Sequence, residues 1–426
     1  QDDKTCIFID FEPCKGMFVM QPAELLLPAG DLDKLKTAVL FGADAVYAGG
    51  KEYSLRAAAG NLSLSEMEEG LNFVHKKGKK LYVTVNILAH NRDLKDLPAY
   101  LERLAQMAVD GLIIADPGVI KLALKYAPEI PITVSTQANI TNYEAAAFYK
   151  ELGAQRLVLA RELSLEEIIA IKEKVEVELE VFVHGAMCVS YSGRCLLSHY
   201  MTGRSANSGE CAHPCRYQYQ LVEEKRPHEY YPIEEDERGS YILNSRDLCL
   251  LPYIPQLVQA GIDSFKIEGR MKSALYVAVT ASVYRQALEA FCQSGSEYND
   301  KQLRIWMEEL RNVATRPFTN GFIEGESPLL QDIDHTAPTR RTDFCGIVRG
   351  YDHDRGWLII EQRANFGPGD DLQLMLTDGR ILDLELVVLY DENGTILDRA
   401  RHAKQRVYVS FPQEIAAGSI LRRTSR

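Results

Sequence analysis

At 426 residues, 46% hydrophobic and 25% charged, the chain has an ordinary globular composition and enough length for two domains. Its net charge of −12 argues against a protein that coats nucleic acid non-specifically, while allowing a local basic site. It has no apolar run long enough for a membrane span and no secretion signal at its start, so its nine cysteines, an odd number without a regular framework, read as reduced thiols in a cytoplasmic protein.

Residues 1–21 read as an N-terminal extension, because patterned sequence begins at Pro22. From there short apolar runs alternate with amphipathic segments. Strands are expected at 24–30, 44–50, 80–88, 111–118, 131–139, 156–162, 178–185 and 263–270. The segments LSEMEEGLNFVHKKG and LPAYLERLAQMAVDG space their apolar residues as helices do, and Asp31, Ser63, Asn142 and Ser164 signal helix starts. Eight strand–helix units predict an α/β fold over 22–335, a (β/α)8 TIM-like barrel, with a doubly wound open sheet as the alternative. An insertion at 185–262 separates the seventh strand from the eighth and would emerge on the catalytic face of a barrel. After 335 the period shifts to two, with TDGR and ENGT turns, which predicts a small antiparallel β-barrel domain over 336–426. That segment carries thirteen basic and thirteen acidic side chains, so the acidity belongs to the larger domain. Two cationic clusters stand out in it, one around Arg399, Arg401, Lys404 and Arg406, the other at Arg422, Arg423 and Arg426.

The insertion holds Cys188, Cys195, Cys211, Cys215 and Cys249, spaced C-x6-C-x15-C-x3-C-x33-C. Gathered at the end of a buried strand, thiolates make a soft anionic ligand set suited to an iron–sulfur cluster or zinc. The spacing is neither a paired zinc knuckle nor a compact ferredoxin run, and small buried hydrophobes are the competing reading. Four ligands suffice for a [4Fe–4S] cluster, which leaves one of the five spare. Cys6, Cys14, Cys292 and Cys345 read as packing or incidental residues.

His184 ends the seventh strand, where it can move a proton, ligate a metal or simply cap the strand. Polar residues at other strand ends are Asn86, Asp116, Gln137, Asn139, Arg161, Glu268 and Arg270, and in a barrel such positions line the active site. Arg56, Arg161, Arg270 and Lys272 would together suit a carboxylate or phosphate, though ion pairing within an acidic domain is the alternative. His184, Glu268 and Arg270 are therefore the catalytic candidates, and Arg56, Asn86, Gln137, Arg161 and Lys272 the substrate-binding ones. The glycine-rich YAGGKEYSLRAAAG is not a nucleotide fingerprint, and GxSxG and HExxH are both absent.

Glu180, Phe182, Gly185, Ala186, Cys188, Gly193, Cys195 and Ser198 match the signature of the proteins called peptidase family U32. ELLLPAGDLDKLKTAVLFGADAVYAGG, LLSHYMTGRSANSGECAHPCR and NSRDLCLLPYIPQLVQAGIDSFKIEGRMKS resemble that family too, over about 22–335, and the small β-domain resembles its C-terminal module. The family name implies proteolysis, including collagenase activity, whereas its members are associated with oxygen-independent hydroxylation of tRNA, ribosomal RNA or a quinone precursor. SRDLC and FKIEGRMKS most resemble the branch that makes 5-hydroxyuridine at the tRNA wobble position and depends on prephenate. The resemblance implies a [4Fe–4S] cluster held by Cys188, Cys195, Cys211 and Cys249; Cys215 is the departure, since some relatives use a close C-x3-C pair. It further implies that prephenate, a dicarboxylate, meets arginine or lysine. The two cation clusters of the small domain, from which Arg401, Lys404, Arg406, Arg422 and Arg423 are taken, are then expected to hold the tRNA backbone, with a solvated charged face as the competing reading. A protease, or a hydroxylase of ribosomal RNA or of a small aromatic compound, is the alternative.

Overall fold

The computed structural model describes residues 23–54, 60–187, 246–325 and 342–424, and the backbone of four short strands between 221 and 241. Seven parallel strands come first: β1 (Glu24–Ala29), β2 (Ala45–Gly49), β3 (Lys80–Val85), β4 (Gly111–Ile114), β5 (Ile132–Val134), β6 (Arg156–Val158) and β7 (Glu178–Ala186). In the insertion, Leu221–Glu223 (β8) pairs antiparallel with Arg226–Tyr231 (β9), and Glu234–Asp236 (β10) with Gly239–Tyr241 (β11). Asp247–Cys249 (β12) then runs antiparallel along the tip of β7. The eighth barrel strand, Ser264–Ile267 (β13), lies parallel to both β7 and β1 and closes the ring. The barrel is therefore closed, and the open doubly wound sheet is excluded.

Helices α1 (Leu32–Leu40), α2 (Leu64–Lys76), α3 (Leu97–Gln106), α4 (Pro117–Tyr126), α5 (Tyr143–Glu151) and α6 (Leu165–Lys174) follow the first six strands in turn. The expected starts are real caps. Asp31 accepts from Lys34 N at 2.8 Å, Asn142 from Ala145 N at 2.9 Å, and Ser63 and Ser164 each form a reciprocal capping box with a glutamate. Each such cap stabilises its helix by about 1 kcal/mol. Short α7 (Ile254–Gln259) precedes β13, and long α8 (Ala274–Ser294) and α9 (Asp300–Val313) follow it. No helix among the described residues is long and apolar enough to cross a membrane.

Strand alternation sorts side chains between two cores. Leu25, Leu27, Val46, Leu81 and Val83 point outward under the helices, while Leu26, Ala45, Tyr47, Tyr82 and Ile113 form a separate cluster inside the ring. The rest of the interior is ionic. Lys266 Nζ meets Glu180 Oε1 at 2.6 Å, both side chains being almost wholly buried. Arg156, at the start of β6, reaches Glu24 at 2.5 Å, Glu178 at 2.8 Å and Glu180 at 3.4 Å, and Tyr82 donates to Glu24 at 2.7 Å. Glu24, Arg156 and Glu178 all begin strands, so this network seals the floor opposite the mouth.

After β14 (Phe318–Thr319), which pairs with β12, the chain builds an eight-stranded antiparallel sheet. Its strands are β15 (Thr342–Asp352), β16 (Trp357–Gln362), β17 (Leu372–Met375), β18 (Ile381–Leu384), β19 (Leu389–Tyr390), β20 (Ile396–Leu397), β21 (Arg406–Ser410) and β22 (Ile420–Thr424). The sheet order is β18-β17-β22-β15-β16-β21-β19-β20, around a core of its own that includes Val348, Leu358, Phe366 and Leu374. Ion pairs dock it on the barrel. Asp33, in the first turn of α1, takes both nitrogens of Arg349 at 3.0 and 3.1 Å and Arg363 at 2.6 Å, and Glu361 braces the same two arginines. Arg422 grips Glu309 of α9 through two contacts at 2.6 and 3.1 Å.

Candidate active site at the barrel mouth

The inward face of each strand continues past its C-terminal end, and there the interior turns polar. On β3 the inward residues run Tyr82, Thr84, Asn86, and on the chain through β5 they run Thr133, Ser135, Gln137. Asn86 Nδ2 donates to Gln137 Oε1 at 3.2 Å, and Ser135 Oγ donates to the same oxygen. The expected pair Asn86 and Gln137 is thus brought into contact across β4.

Beside this amide wall lies a cationic one. Arg270 leaves the end of β13 and turns into the ring, where its guanidinium donates to Ser54 Oγ at 3.0 Å, to Thr84 Oγ1 at 3.4 Å and to Asn61 Oδ1. A Cβ at position 49 would collide with that guanidinium, so β2 must end in glycine for Arg270 to enter. Arg161, beyond β6, stacks over Phe182 at 3.9 Å, donates to the Ala186 carbonyl and lies 4.0 Å from Glu268. Its Nε is buried without a hydrogen-bond partner among the described residues. Tyr47 Oη stands 3.3 Å from the Glu268 carboxylate. Arg161, Glu268, Arg270, Asn86 and Gln137 therefore all stand at the C-terminal ends of the barrel strands, Arg161 with Glu268 and Asn86 with Gln137 in pairs and Arg270 tied to β3 through Thr84. Ser54, Asn61, Thr84 and Ser135 complete the lining without having been singled out in the sequence. Thr84 and Ser135 were findable, each standing two residues before an expected site residue on the same strand face.

The other expected residues are placed differently. The His184 ring packs against Tyr276 and Tyr284 of α8 and against Phe318, with centroids 5.9, 5.6 and 5.3 Å away. Its Nδ1 is 3.3 Å from Tyr284 Oη. Burial, reinforced by Lys272 and opposed by Asp247, pushes its pKa down to about 4, so the ring is neutral at pH 7. The ring of His184 is thus set apart from the side chains of Glu268 and Arg270, the other two catalytic candidates: the β7–β13 register shifts between Lys266 and Ile267, and the ring packs under α8. Lys272 likewise stays on that side, 2.6 Å from Thr315 Oγ1 and 3.8 Å from Asp247. Asp116 caps α4, accepting from Gly118 N and Val119 N at 2.7 and 3.1 Å. Asn139 adopts a left-handed conformation, with φ of 55°. Arg56 lies outside the described residues.

Of the five insertion cysteines, Cys188, Cys195, Cys211 and Cys215 lie outside the described residues, and Cys249 lies within them. Cys249 pairs with His184 across the β12–β7 ladder, and its Sγ is 3.9 Å from both Tyr284 Oη and Met307 Sδ. Burial pushes its thiol up to about 11. This burial disfavours the free thiolate, so Cys249 could serve as a cluster ligand only by giving up its proton to metal binding. Among the described residues alone, no three His, Cys, Asp or Glu side chains are grouped to hold a metal.

The small domain treats its cations unevenly. Arg401, Lys404 and Arg406 are exposed, with Arg401 paired to Asp398. Arg423 is held by Asp343 at 2.7 Å and lies 3.4 Å from Asp370. Nearby, a cleft is lined by Asp370, Asp371, Asp383 and Glu385. Arg422 is buried at 2% exposure and committed to Glu309, so its expected place on an RNA-binding surface is corrected: it is an interdomain tie.

Comparison with known proteins agrees with this architecture. The chain is 40% identical to tRNA hydroxylation protein P1 of Bacillus subtilis over 95% of its own length and 96% of the relative's. It is 36% identical to tRNA hydroxylation protein P of Escherichia coli over 92% of the chain and 94% of that protein. A third relative, the 23S rRNA 5-hydroxycytidine C2501 synthase of Escherichia coli, is 39% identical over 63% of this chain and 40% of its own length. The model of peptidase family U32 matches residues 30–331 and that of the family's C-terminal domain residues 340–422; the chain belongs to peptidase family U32.

Proposed function

We propose that this chain is an RNA-modifying enzyme of the cytoplasm that hydroxylates the wobble uridine of tRNA to 5-hydroxyuridine, without oxygen, using prephenate and a [4Fe–4S] cluster. The observation that carries the reading is the 40% identity to a tRNA hydroxylation protein along 95% of the chain. The mouth chemistry is compatible with it. Arg161 and Arg270 offer fixed cations for the carboxylates of prephenate, and Arg161 Nε, which has no hydrogen-bond partner among the described residues, is a donor suited to such an acceptor. Glu268, between Arg161 and Tyr47, is placed to accept a proton from a ligand in the mouth. Cys188, Cys195, Cys211 and Cys249 would hold the cluster, which when bound supplies one-electron chemistry. A wobble base entering the mouth must leave its stack, at a cost of a few kcal/mol.

A second reading, hydroxylation of ribosomal cytidine, is favoured by the relative named for 5-hydroxycytidine. Nucleoside mass spectrometry of tRNA and ribosomal RNA, from anaerobically grown cells with and without the gene, separates the two. The reading expects tRNA 5-hydroxyuridine derivatives to vanish and to return with the intact protein but not with Cys195→Ala. Unchanged tRNA in cells free of paralogues would refute it.

A further inference from the structure

The outer face of the small domain's sheet carries aromatic side chains that neither core uses. Strand alternation sends Leu358, Ile360, Val407 and Val409 into the domain's own core and turns Trp357, Ile359, Arg406 and Tyr408 outward. Register then lines them up. Ile359 stands opposite Tyr408, Tyr408 opposite Tyr390, and Tyr390 opposite Ile396, which makes one apolar row across β16, β21, β19 and β20. Trp357 stacks on Tyr390, with centroids 4.4 Å apart and rings 8° from parallel, and lies 6.2 Å from Tyr408. The three rings and Ile359 stay partly exposed, and Ile396 is 69% exposed. None of these five side chains belongs to a hydrophobic core of either domain, so burial does not account for them.

Two features say what covers the face. The first is where it leads. Glu361, two residues past Ile359 on the same face, braces Arg349, which holds Asp33 of the barrel. Asp33 is in the first turn of α1, and a helix that follows a barrel strand begins at the mouth. The loop before it abuts the mouth, since a Cβ at Gly30 would collide with the Arg270 carbonyl. The aromatic row therefore continues the interdomain contact beside the mouth. The second feature is charge. Arg406 stands opposite Glu361, whose carboxylate is already taken by Arg349 and Arg363. Arg406 and Lys404 are both exposed and pair with no carboxylate among the described residues. Uncompensated cations beside rings suit a polyanion whose units carry flat π faces. A double helix keeps its bases stacked on one another, so it could use the cations but not the rings. We infer that this face is a stacking platform for unpaired nucleotides of the RNA whose target base enters the mouth. Tyr390 and Tyr408 take base faces, Trp357 holds the Tyr390 ring in place, and Lys404 and Arg406 take phosphates. The inference rests on the RNA reading above and deepens it by naming the surface and the form of RNA it fits.

The test uses the full-length protein with its iron and two fluorescent RNAs with the same number of phosphates, a single-stranded oligouridine and a duplex. Wild type should prefer the single strand. Tyr390→Leu and Tyr408→Leu should each weaken single-strand binding about five- to a hundredfold, the range for one stacked base, and leave duplex binding unchanged. Tyr408→Phe, which keeps the ring, should retain affinity. Replacing Lys404 and Arg406 by glutamine should instead weaken both RNAs and flatten the salt slope for the single strand by about 1.4, which the tyrosine variants leave alone. Photo-crosslinking of wild type to 5-iodouridine strands, which needs no variant, should place adducts on Trp357, Tyr390 or Tyr408. Melting curves establish that each variant is folded; if one is not, the other and the crosslinks carry the test. Single-strand affinity that survives both leucine variants, an equal loss for the duplex, or adducts confined to the barrel would each overturn the inference. So would sedimentation in which Tyr390→Leu splits a dimer and spares RNA affinity, because a second copy of the chain would then be the occupant. Failure of the intact protein to restore tRNA 5-hydroxyuridine in cells, while single strands still bind and crosslink here, would instead overturn the uridine reading itself.

Discussion

The ion pair inside the barrel makes a quantitative prediction. Lys266 and Glu180 meet at 2.6 Å with side-chain exposures of 5% and 1%. Removing one partner of such a pair leaves an uncompensated charge and typically costs about 3–5 kcal/mol. Lys266→Met should fall near the lower end, about 3 kcal/mol, because Arg156 still stands 3.4 Å from Glu180. Glu180→Leu should cost more, about 4 kcal/mol. It strands Lys266 against the rings of Tyr47 and Phe182, at 4.6 and 5.5 Å. The double variant replaces the pair with apolar groups, and Arg156 keeps Glu24 and Glu178. Its cost should therefore lie at least about 3 kcal/mol below the sum of the singles. Urea unfolding of the full chain measures this. A Trp357→Phe background lets fluorescence follow Trp306, which is 4% exposed on α9 in the barrel layer. If Lys266→Met lies within about 1 kcal/mol of wild type, or the double variant equals the sum, the pair is not the closed ionic unit described.

Three further outcomes are expected. Burial raises the Asp33 carboxyl, but Arg349 and Arg363 outweigh it and hold the folded-state pKa below 3.8, so the tie it makes contributes fully above 3.8 and fades as pH falls through the folded value. Asp33→Asn should thus lower stability at pH 6 by about 1 kcal/mol, a gap that closes in acid; a constant gap down to pH 2.5 would exclude this origin. Iron analysis of anaerobically purified variants should show loss in Cys188→Ala, Cys195→Ala, Cys211→Ala and Cys249→Ala and retention in Cys215→Ala; loss only in Cys215→Ala, with Cys249→Ala intact, would reverse the assignment of that ligand. Neutralising Arg401, Lys404 and Arg406 should weaken tRNA binding and flatten its salt dependence, whereas Arg422→Ala should lower the unfolding midpoint by exposing Glu309 to loss of its partner. Unchanged tRNA affinity in the triple variant would remove the small domain's surface cations from RNA binding.

The sequence alone determined the elements and their order. Alternating apolar runs and helix-capping residues are local signals, set by period and by hydrogen bonds three residues away, so Asp31, Ser63, Asn142 and Ser164 marked their helices before any contact was known. Residues at strand ends were legible for the same reason: in a parallel barrel every such end reaches one mouth, which placed Asn86, Gln137, Arg161, Glu268 and Arg270 together. What only the tertiary structure decided is where a side chain goes once neighbours compete for it. A one-residue bulge turned His184 from the mouth towards Tyr284, an acid on α9 took Arg422 out of the surface charge, and the barrel interior accepted Lys266 because Glu180 meets it from the neighbouring strand. These outcomes depend on partners far apart in the chain, and a sequence pattern carries no record of which distant charge or ring will be nearest.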